Sequence, residues 1–119
     1  MDIMKTMYHI TSQKNLPSIL EHGLIPQYGF LSDMILEQRP GVYMFFEKEE
    51  VSYAMQHWFG EMIRYVYSLA ELILLEIKVP DEFKIEERYG WEAISRHTIP
   101  AKYITVIDMP QYDLTVGKR

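Results

Sequence analysis

The fold is decided by residues 8–12, YHITS, together with residues 15–24, NLPSILEHGL. Residues 5–10 predict a short apolar strand that ends in the polar cluster His9, Thr11 and Ser12. Polar side chains of this kind are unfavourable in a hydrophobic core, but at the mouth of a groove they can form hydrogen bonds with a ligand. We therefore treat the end of this strand as the first candidate site element.

The stretch after this strand predicts an amphipathic helix over about residues 15–22. Leu16, Ile19 and Leu20 share one face at i, i+3, i+4 spacing. Pro17 is tolerated only in the first helical turn, which places the helix start near residue 15 or 16. Gly23 stands where a terminating residue with positive φ is expected.

Length and composition predict one packed domain over residues 1–119. The chain has a mass of 14.2 kDa, with 48% hydrophobic and 13% aromatic residues. It contains no cysteine, which excludes thiol chemistry and zinc–thiolate sites and suits a reducing cytosol. No signal peptide is apparent, and the longest apolar stretch, residues 69–77, is too short to span a membrane. We expect a cytoplasmic protein without a membrane partner.

The net charge of −5 bears on the partner. Proteins that bind duplex nucleic acid are usually basic, because neutralisation of phosphate carries most of their affinity. An acidic chain therefore disfavours bulk duplex binding, although a nucleotide in a pocket needs only a few donors.

The rest of the chain predicts an α+β order of elements. Further strands are expected at residues 41–46, 72–79, 91–95 and 103–108. An acidic helix start at residues 47–50 leads into a helix with Val51, Ala54, Met55 and Trp58 on one side. No Gly-x-Gly-x-x-Gly or phosphate-loop lysine motif is present, so a doubly wound parallel nucleotide-binding sheet is not expected.

Tyr43 is the second candidate site residue. It lies in a strand whose two alternating faces are both apolar, which predicts a central position in the sheet. Its ring can stack on a flat heterocycle such as nicotinamide, but aromatic residues in strands also serve as core.

Glu92 is the third candidate. A carboxylate inside a strand has a desolvation cost unless it is paired, exposed or bound to a ligand. Exposure at a sheet edge is the simplest alternative, and Glu86 or Glu87 takes the same role if the strand begins earlier. The motif Ile99-Pro100-x-x-Tyr103-Ile104 follows and predicts a turn into the last strand.

These three elements, in this order, resemble the ADP-ribosyltransferase superfamily. The resemblance covers nearly the whole chain and is to the histidine–tyrosine–glutamate class, which includes diphtheria toxin and the poly(ADP-ribose) polymerases. The opening stretch and residues 91–104 are most similar to bacterial DNA-thymidine ADP-ribosyltransferase toxins and RNA 2′-phosphotransferases. The resemblance implies a single compact α+β domain with split antiparallel or mixed β-sheets around an NAD cleft and two main helices.

The resemblance also implies a role for each candidate residue. His9 would hold the adenosine-side ribose of NAD, and Thr11 or Ser12 would shape the nicotinamide-side pocket. Tyr43 would stack on nicotinamide, and Glu92, as the catalytic residue, would bind the ribose 2′-hydroxyl and stabilise an oxocarbenium-like transition state. NAD is the implied co-substrate, and no metal is expected. Arg39, Arg64 and Arg96 are open candidates for the pyrophosphate.

Departures from the family pattern narrow the implied activity. Gly90 stands two positions before Glu92, where several arginine-modifying toxins carry glutamate or glutamine, so arginine modification is disfavoured. The chain has no room for the additional basic lobe of the RNA 2′-phosphotransferases. We expect a mono-ADP-ribosyltransferase whose macromolecular acceptor is a protein rather than a nucleic acid. It would be a toxin, effector or phage-encoded modifier that acts in the cytoplasm or is delivered into a host cytoplasm.

Two other interpretations stay open. The first is a non-catalytic domain of the same fold that binds NAD, ADP-ribose or a partner protein. The second is a small α+β domain whose motif matches arise by chance. Replacement of Glu92 distinguishes the first of these from an enzyme, because it abolishes turnover in an enzyme and leaves binding nearly intact in a binding module.

Overall fold

The computed structural model of the protein describes residues 3–27, 40–57 and 71–108. Within these ranges it contains six strands and two helices. In chain order the elements are β1 (Met4–Ser12), α1 (Leu16–His22), β2 (Val42–Phe45), α2 (Lys48–His57), β3 (Leu72–Pro80), β4 (Glu86–Arg88), β5 (Glu92–Ser95) and β6 (Ile104–Ile107).

The strands form one sheet with the order β4-β5-β2-β1-β3-β6. Every pairing in it is antiparallel. The prediction of an α+β domain is confirmed, and the sheet is antiparallel rather than mixed. The central position predicted for the strand that carries Tyr43 is also confirmed, because β2 lies between β5 and β1.

The two sides of β1 are paired very differently. Against β3 the register is continuous, from Met4 opposite Pro80 to Ser12 opposite Leu72. Against β2 a single pair, Tyr8 opposite Phe45, is in register. The sheet is therefore continuous on one side of β1 and nearly interrupted on the other.

Each face of the sheet is covered by one helix. On the α1 face, buried residues of the central strands pack against the helix and the segment after it; among them are Met7, Met44, Leu75, Ile77, Ile19 and Ile99. On the α2 face the buried residues are Phe45, Val51, Ala54, Met55, Leu72 and Leu74. Because successive side chains of a strand point to opposite faces, the central strands β2 and β3 supply buried residues to both sides of the sheet.

Gly23 ends α1 with positive φ, as predicted, but with an extended ψ (φ 80°, ψ −172°). A Cβ at this position would lie 2.2 Å from the carbonyl oxygen of Ile99. The close approach allows Leu24 and Ile99 to exchange two backbone hydrogen bonds of 2.9 Å. Glycine is therefore required here both by the backbone conformation and by the neighbouring chain.

Some predicted boundaries differ from the observed ones. Residues 86–88 form strand β4, which the sequence did not predict, and Trp91 belongs to the turn after it rather than to β5. Tyr103 lies in a short 3₁₀ turn, and β6 begins at Ile104. The predicted position of Trp58 lies outside the described residues.

Candidate functional site

The three strands that carry the candidate residues are neighbours in the sheet. β5, β2 and β1 are consecutive in the strand order although they are far apart in the chain. Tyr8 lies opposite Phe45, which in turn lies opposite Glu92. This row crosses all three strands and brings the three sequence motifs to one part of the sheet.

The candidate side chains divide between the two faces of the sheet. Phe45 belongs to the α2 face, and alternation places Tyr43 and Glu92 on that same face. His9 follows Tyr8 in β1 and therefore belongs to the opposite face, with Thr11. The tyrosine and the glutamate thus share a surface, and the histidine, on the other face, contacts the backbone carbonyl of Tyr43.

His9 bridges the interrupted side of the sheet. Its Nδ1 lies 2.8 Å from the backbone carbonyl oxygen of Tyr43. Burial lowers the pKa of His9 below 6.5, although the hydrogen bond with the Tyr43 carbonyl acts in the opposite direction. The ring is therefore neutral near pH 7. Because a carbonyl only accepts, Nδ1 carries the proton and Nε2 keeps a lone pair for a hydroxyl donor.

The hydroxyls of Thr11 and Ser12 have local partners. Thr11 accepts a hydrogen bond of 3.0 Å from the side-chain amide of Asn15. The buried Ser12 caps the 3₁₀ turn at Gln13–Asn15, where its Oγ accepts from the backbone N–H of Lys14 at 3.2 Å. Both residues thus fix the passage from the end of β1 into the 3₁₀ turn that precedes α1.

The ring of Tyr43 is positioned by the start of its own strand and by Arg96. A Cβ on Gly41 would lie 3.2 Å from the Cζ of Tyr43, so the absence of a side chain there makes room for the ring. Arg96 donates from Nη1 to the Tyr43 hydroxyl at 3.4 Å and to the Pro40 carbonyl at 3.2 Å. These contacts hold the tip of the ring in place.

Arg96 is itself held by Glu86. Its Nε and Nη2 donate to the two carboxylate oxygens of Glu86 at 2.9 Å and 3.3 Å. This pair, chiefly through its hydrogen bonds, raises the pKa of Arg96 above its usual value. A guanidinium engaged in this way supports Tyr43 and is poorly placed to serve a pyrophosphate. The other two arginine candidates, Arg39 and Arg64, lie outside the described residues.

Glu92 is paired rather than exposed. The Nε of Arg88 donates to its Oε1 at 2.5 Å, and the Glu92 side chain keeps only 12% of its surface exposed. The pairing removes the desolvation cost of a carboxylate in a strand. Of the two alternative glutamates, Glu86 shares this face but binds Arg96, and Glu87 lies opposite Ala93 and so points to the other face.

Arg88 links the glutamate to the tyrosine. Its guanidinium carbon lies 5.7 Å from the centre of the Tyr43 ring and 5.3 Å from that of Tyr89. Both distances are within the range of cation–π attraction. Tyr43, Arg88 and Glu92 therefore form one connected cluster on the α2 face.

An aromatic stack borders this cluster at the turn between β4 and β5. The ring of Trp91 lies 5.6 Å from that of Phe45 and 6.1 Å from that of Tyr89, with interplanar angles of 22° and 27°. Tyr89 has a positive φ of 61°, which is uncommon for a residue with a side chain, and is 73% exposed. The turn thus presents an exposed aromatic ring beside the arginine.

Sequence reasoning missed Arg88. The signal for it was Gly90, because three- to five-residue loops that contain glycine commonly join the strands of a hairpin, and residues 89–91 form such a loop. Recognising β4 would have placed Arg88 directly opposite Glu92, as the register shows. Opposite charges in such a cross-strand pair attract each other, so the ion pair followed from the hairpin.

Residues 3–27, 40–57 and 71–108 contain neither a metal-binding cluster nor a helix that could span a membrane. These residues contain no group of three or more histidine, aspartate or glutamate side chains arranged to hold a metal ion. The helices among them are too short and too polar to cross a bilayer.

Comparison with known proteins adds no assignment. No family model matches the chain, and no curated protein matches it. The described residues show an α+β domain with a six-stranded antiparallel sheet, which carries the cluster of Tyr43, Arg88 and Glu92 on one face.

Proposed function

We propose that this chain is an NAD-dependent mono-ADP-ribosyltransferase that modifies a macromolecular acceptor, a protein rather than a nucleic acid. The observation that carries the proposal is the adjacency of β5, β2 and β1. These strands bear the three motifs of the resemblance, and Tyr43 is linked to His9 through its backbone and to Glu92 through Arg88.

Each residue has a chemical task in this reaction. Neutral His9 accepts a ribose hydroxyl at Nε2, with its ring orientation fixed by the Tyr43 carbonyl. Tyr43 offers its ring face to nicotinamide. The interrupted side of the sheet, between β1 and β2, is the proposed cleft.

Glu92 has the catalytic task. When the bond between nicotinamide and the ribose C1′ breaks, the electron pair leaves with nicotinamide and positive charge develops on the sugar. A carboxylate fixed beside that charge, in a site with little water, stabilises the transition state. The acceptor nucleophile then bonds to C1′ and releases its proton to solvent.

Charge and turn sequence support a protein acceptor. A net charge of −5 is unfavourable for nucleic-acid phosphate. Gly90 leaves the turn before Glu92 without the acidic or amide side chain associated with arginine acceptors, so other side chains are the expected targets.

The Arg88–Glu92 ion pair favours a second candidate function, a non-catalytic module that binds NAD, ADP-ribose or a partner protein. A carboxylate already neutralised by a guanidinium is a weaker stabiliser of positive charge on a sugar. Binding and turnover therefore have to be measured separately.

The test compares the wild type with Glu92→Gln, which keeps the size and removes the charge. Nicotinamide release from NAD is measured by mass spectrometry, and acceptors in a bacterial lysate are detected with labelled NAD. An enzyme loses about 10²–10³-fold of its rate in the variant, the typical effect of removing one such group.

Glu87→Gln is the matched control, because the same change is made on the opposite face of the neighbouring strand. It should leave turnover unchanged. NAD binding without turnover in the wild type would favour the binding module, and the absence of both would contradict the proposed function.

A further inference from the structure

The guanidinium of Arg88 is a planar cation placed between an aromatic ring and a carboxylate. It lies over the ring of Tyr43, with its carbon 5.7 Å from the ring centre, and its Nε donates to Glu92 at 2.5 Å. A planar organic cation that stacked on this face of Tyr43 and approached Glu92 would need the same volume and the same two partners. The two groups cannot occupy the site together.

We infer that Arg88 is an internal competitor for this site, and that a ligand binds by exchanging one planar cation for another. The inference rests on the proposed function only for the identity of the ligand cation, which is then the oxidised nicotinamide ring of NAD. The exchange itself depends on the geometry of Tyr43, Arg88 and Glu92.

Arg88 has a second position within reach. Its guanidinium carbon also lies 5.3 Å from the ring centre of Tyr89, which is 73% exposed at the tip of the turn. The Arg88 side chain is 26% exposed, so it borders solvent already. Rotation toward Tyr89 keeps one cation–π contact while it releases Tyr43 and Glu92.

The exchange makes the site selective for charge. When Arg88 leaves, Glu92, with 12% of its side chain exposed, loses the cation that offsets its desolvation. A cationic ligand restores that balance, whereas a neutral ring of the same shape does not. The oxidised nicotinamide ring is therefore preferred over the reduced, uncharged one before any chemistry begins.

The test uses two small probes, the 1-methylnicotinamide cation and neutral nicotinamide. Each is titrated into the wild type, Arg88→Gln and the control Glu87→Gln, and binding is followed by NMR at the backbone amides of Tyr43 and Glu92. In Arg88→Gln the cation should bind about tenfold tighter, the size of one lost charge-assisted competitor. Nicotinamide needs the same face of Tyr43 but gains nothing from the charge of Glu92, so its affinity should rise clearly less than that of the cation, and Glu87→Gln should behave as the wild type.

Arg88→Lys keeps the charge but loses the planar shape, so its affinity for the cation should lie between those of the wild type and Arg88→Gln. If Arg88→Gln fails to fold, the affinity of Arg88→Lys for the cation still tests the inference. Equal or weaker binding of the cation in the folded Arg88 variants would overturn the exchange and make Arg88 a positioning residue for Glu92. An equal gain for both probes would overturn the charge selectivity.

Nicotinamide release from NAD, measured on the same variants, separates this inference from the proposed function. Tighter cation binding in Arg88→Gln without any NAD turnover in the wild type would retain the exchange and reject the transferase. Turnover in the wild type, with no gain for the cation in Arg88→Gln, would retain the transferase and reject the exchange.

Discussion

The two sides of β1 differ in how the strand is bonded to its neighbours. Toward β3 it is paired along its whole length, from Met4 to Ser12. Toward β2 one pair is in register, and the His9 side chain makes a hydrogen bond to the neighbouring backbone just beyond it. The first side is called here the closed seam and the second the open seam.

The difference separates the region that stabilises the fold from the region of the candidate site. The closed seam has a regular ladder, and its side chains include Met7, Leu74, Leu75 and Ile77, which are fully buried. The open seam has fewer backbone hydrogen bonds between its strands. In their place the His9 ring donates to the Tyr43 carbonyl, which fixes the tautomer of the histidine. Sequence changes at the closed seam should therefore affect unfolding, and changes at the open seam should affect the site.

The largest effect on unfolding is expected at the closed seam. Ile77 is fully buried on β3, opposite Met7 and Ile104. Ile77→Ala should lower the free energy of unfolding by about 2–5 kcal/mol, because it removes buried methyl groups and leaves a cavity. Urea unfolding followed by circular dichroism measures this. Val106→Ala, at a half-exposed position on β6, should cost well under half as much; equal losses would mean that the closed seam is not the stabilising region.

A smaller effect is expected where the chain leaves α1 and bridges to Ile99. Gly23→Ala combines a positive φ with a Cβ placed 2.2 Å from a backbone oxygen, and should cost about 2–4 kcal/mol. Gly90→Ala has a similar φ of 79° but no atom within 4 Å of the new Cβ, so it should cost about 1–2 kcal/mol. Thermal unfolding of both variants separates the clash of the new Cβ with the Ile99 carbonyl, which only Gly23→Ala has, from the cost of a positive φ, which both variants share. If Gly23→Ala were as stable as Gly90→Ala or more stable, the close approach of the Ile99 carbonyl to Gly23 would be refuted.

The smallest effect is expected from the titration of His9 at the open seam. Burial lowers the pKa of this histidine in the folded state, so above pH 6.5 it is neutral in both states and adds no pH dependence. Below pH 6.5 the unfolded chain takes up the proton first, and stability falls until the folded pKa is passed.

His9→Asn keeps a donor for the Tyr43 carbonyl but cannot titrate, so it should lose this part of the pH dependence of the unfolding free energy. His97→Gln is the control, because the His97 side chain is exposed and its contacts with Ser95 are made by backbone atoms. An identical pH profile for the wild type and His9→Asn would contradict a lowered pKa of His9 in the folded state.

Local patterns in the sequence predicted most of the elements. The apolar spacing around Leu16, Ile19 and Leu20 and the stop at Gly23 located α1, and the alternation in residues 72–79 located β3. The two apolar faces of the strand that carries Tyr43 correctly predicted its place inside the sheet. Each of these signals depends only on neighbours within a few residues.

The parts that sequence reasoning missed depend on partners across the sheet. The strand order, the placement of His9 on the opposite face from Tyr43 and Glu92, and the engagement of Arg96 with Glu86 all follow from register, which no local pattern specifies. β4 was missed because its three residues, Glu86–Arg88, are all polar and charged. Because β4 was not predicted, Arg88, which contacts both Tyr43 and Glu92, was missed as a site residue.

The register of the closed seam also has a kinetic consequence. Every partner of β1 in β3 lies at or beyond residue 72, so the first of the six described strands pairs along this seam only after residues 72–80 have been made. Pairing over such a separation closes a long loop and is slow, on the order of milliseconds to seconds for sheets dominated by non-local contacts. Until β3 has been made, β1 has unpaired backbone N–H and C=O groups along this side, and such an edge can pair with another chain.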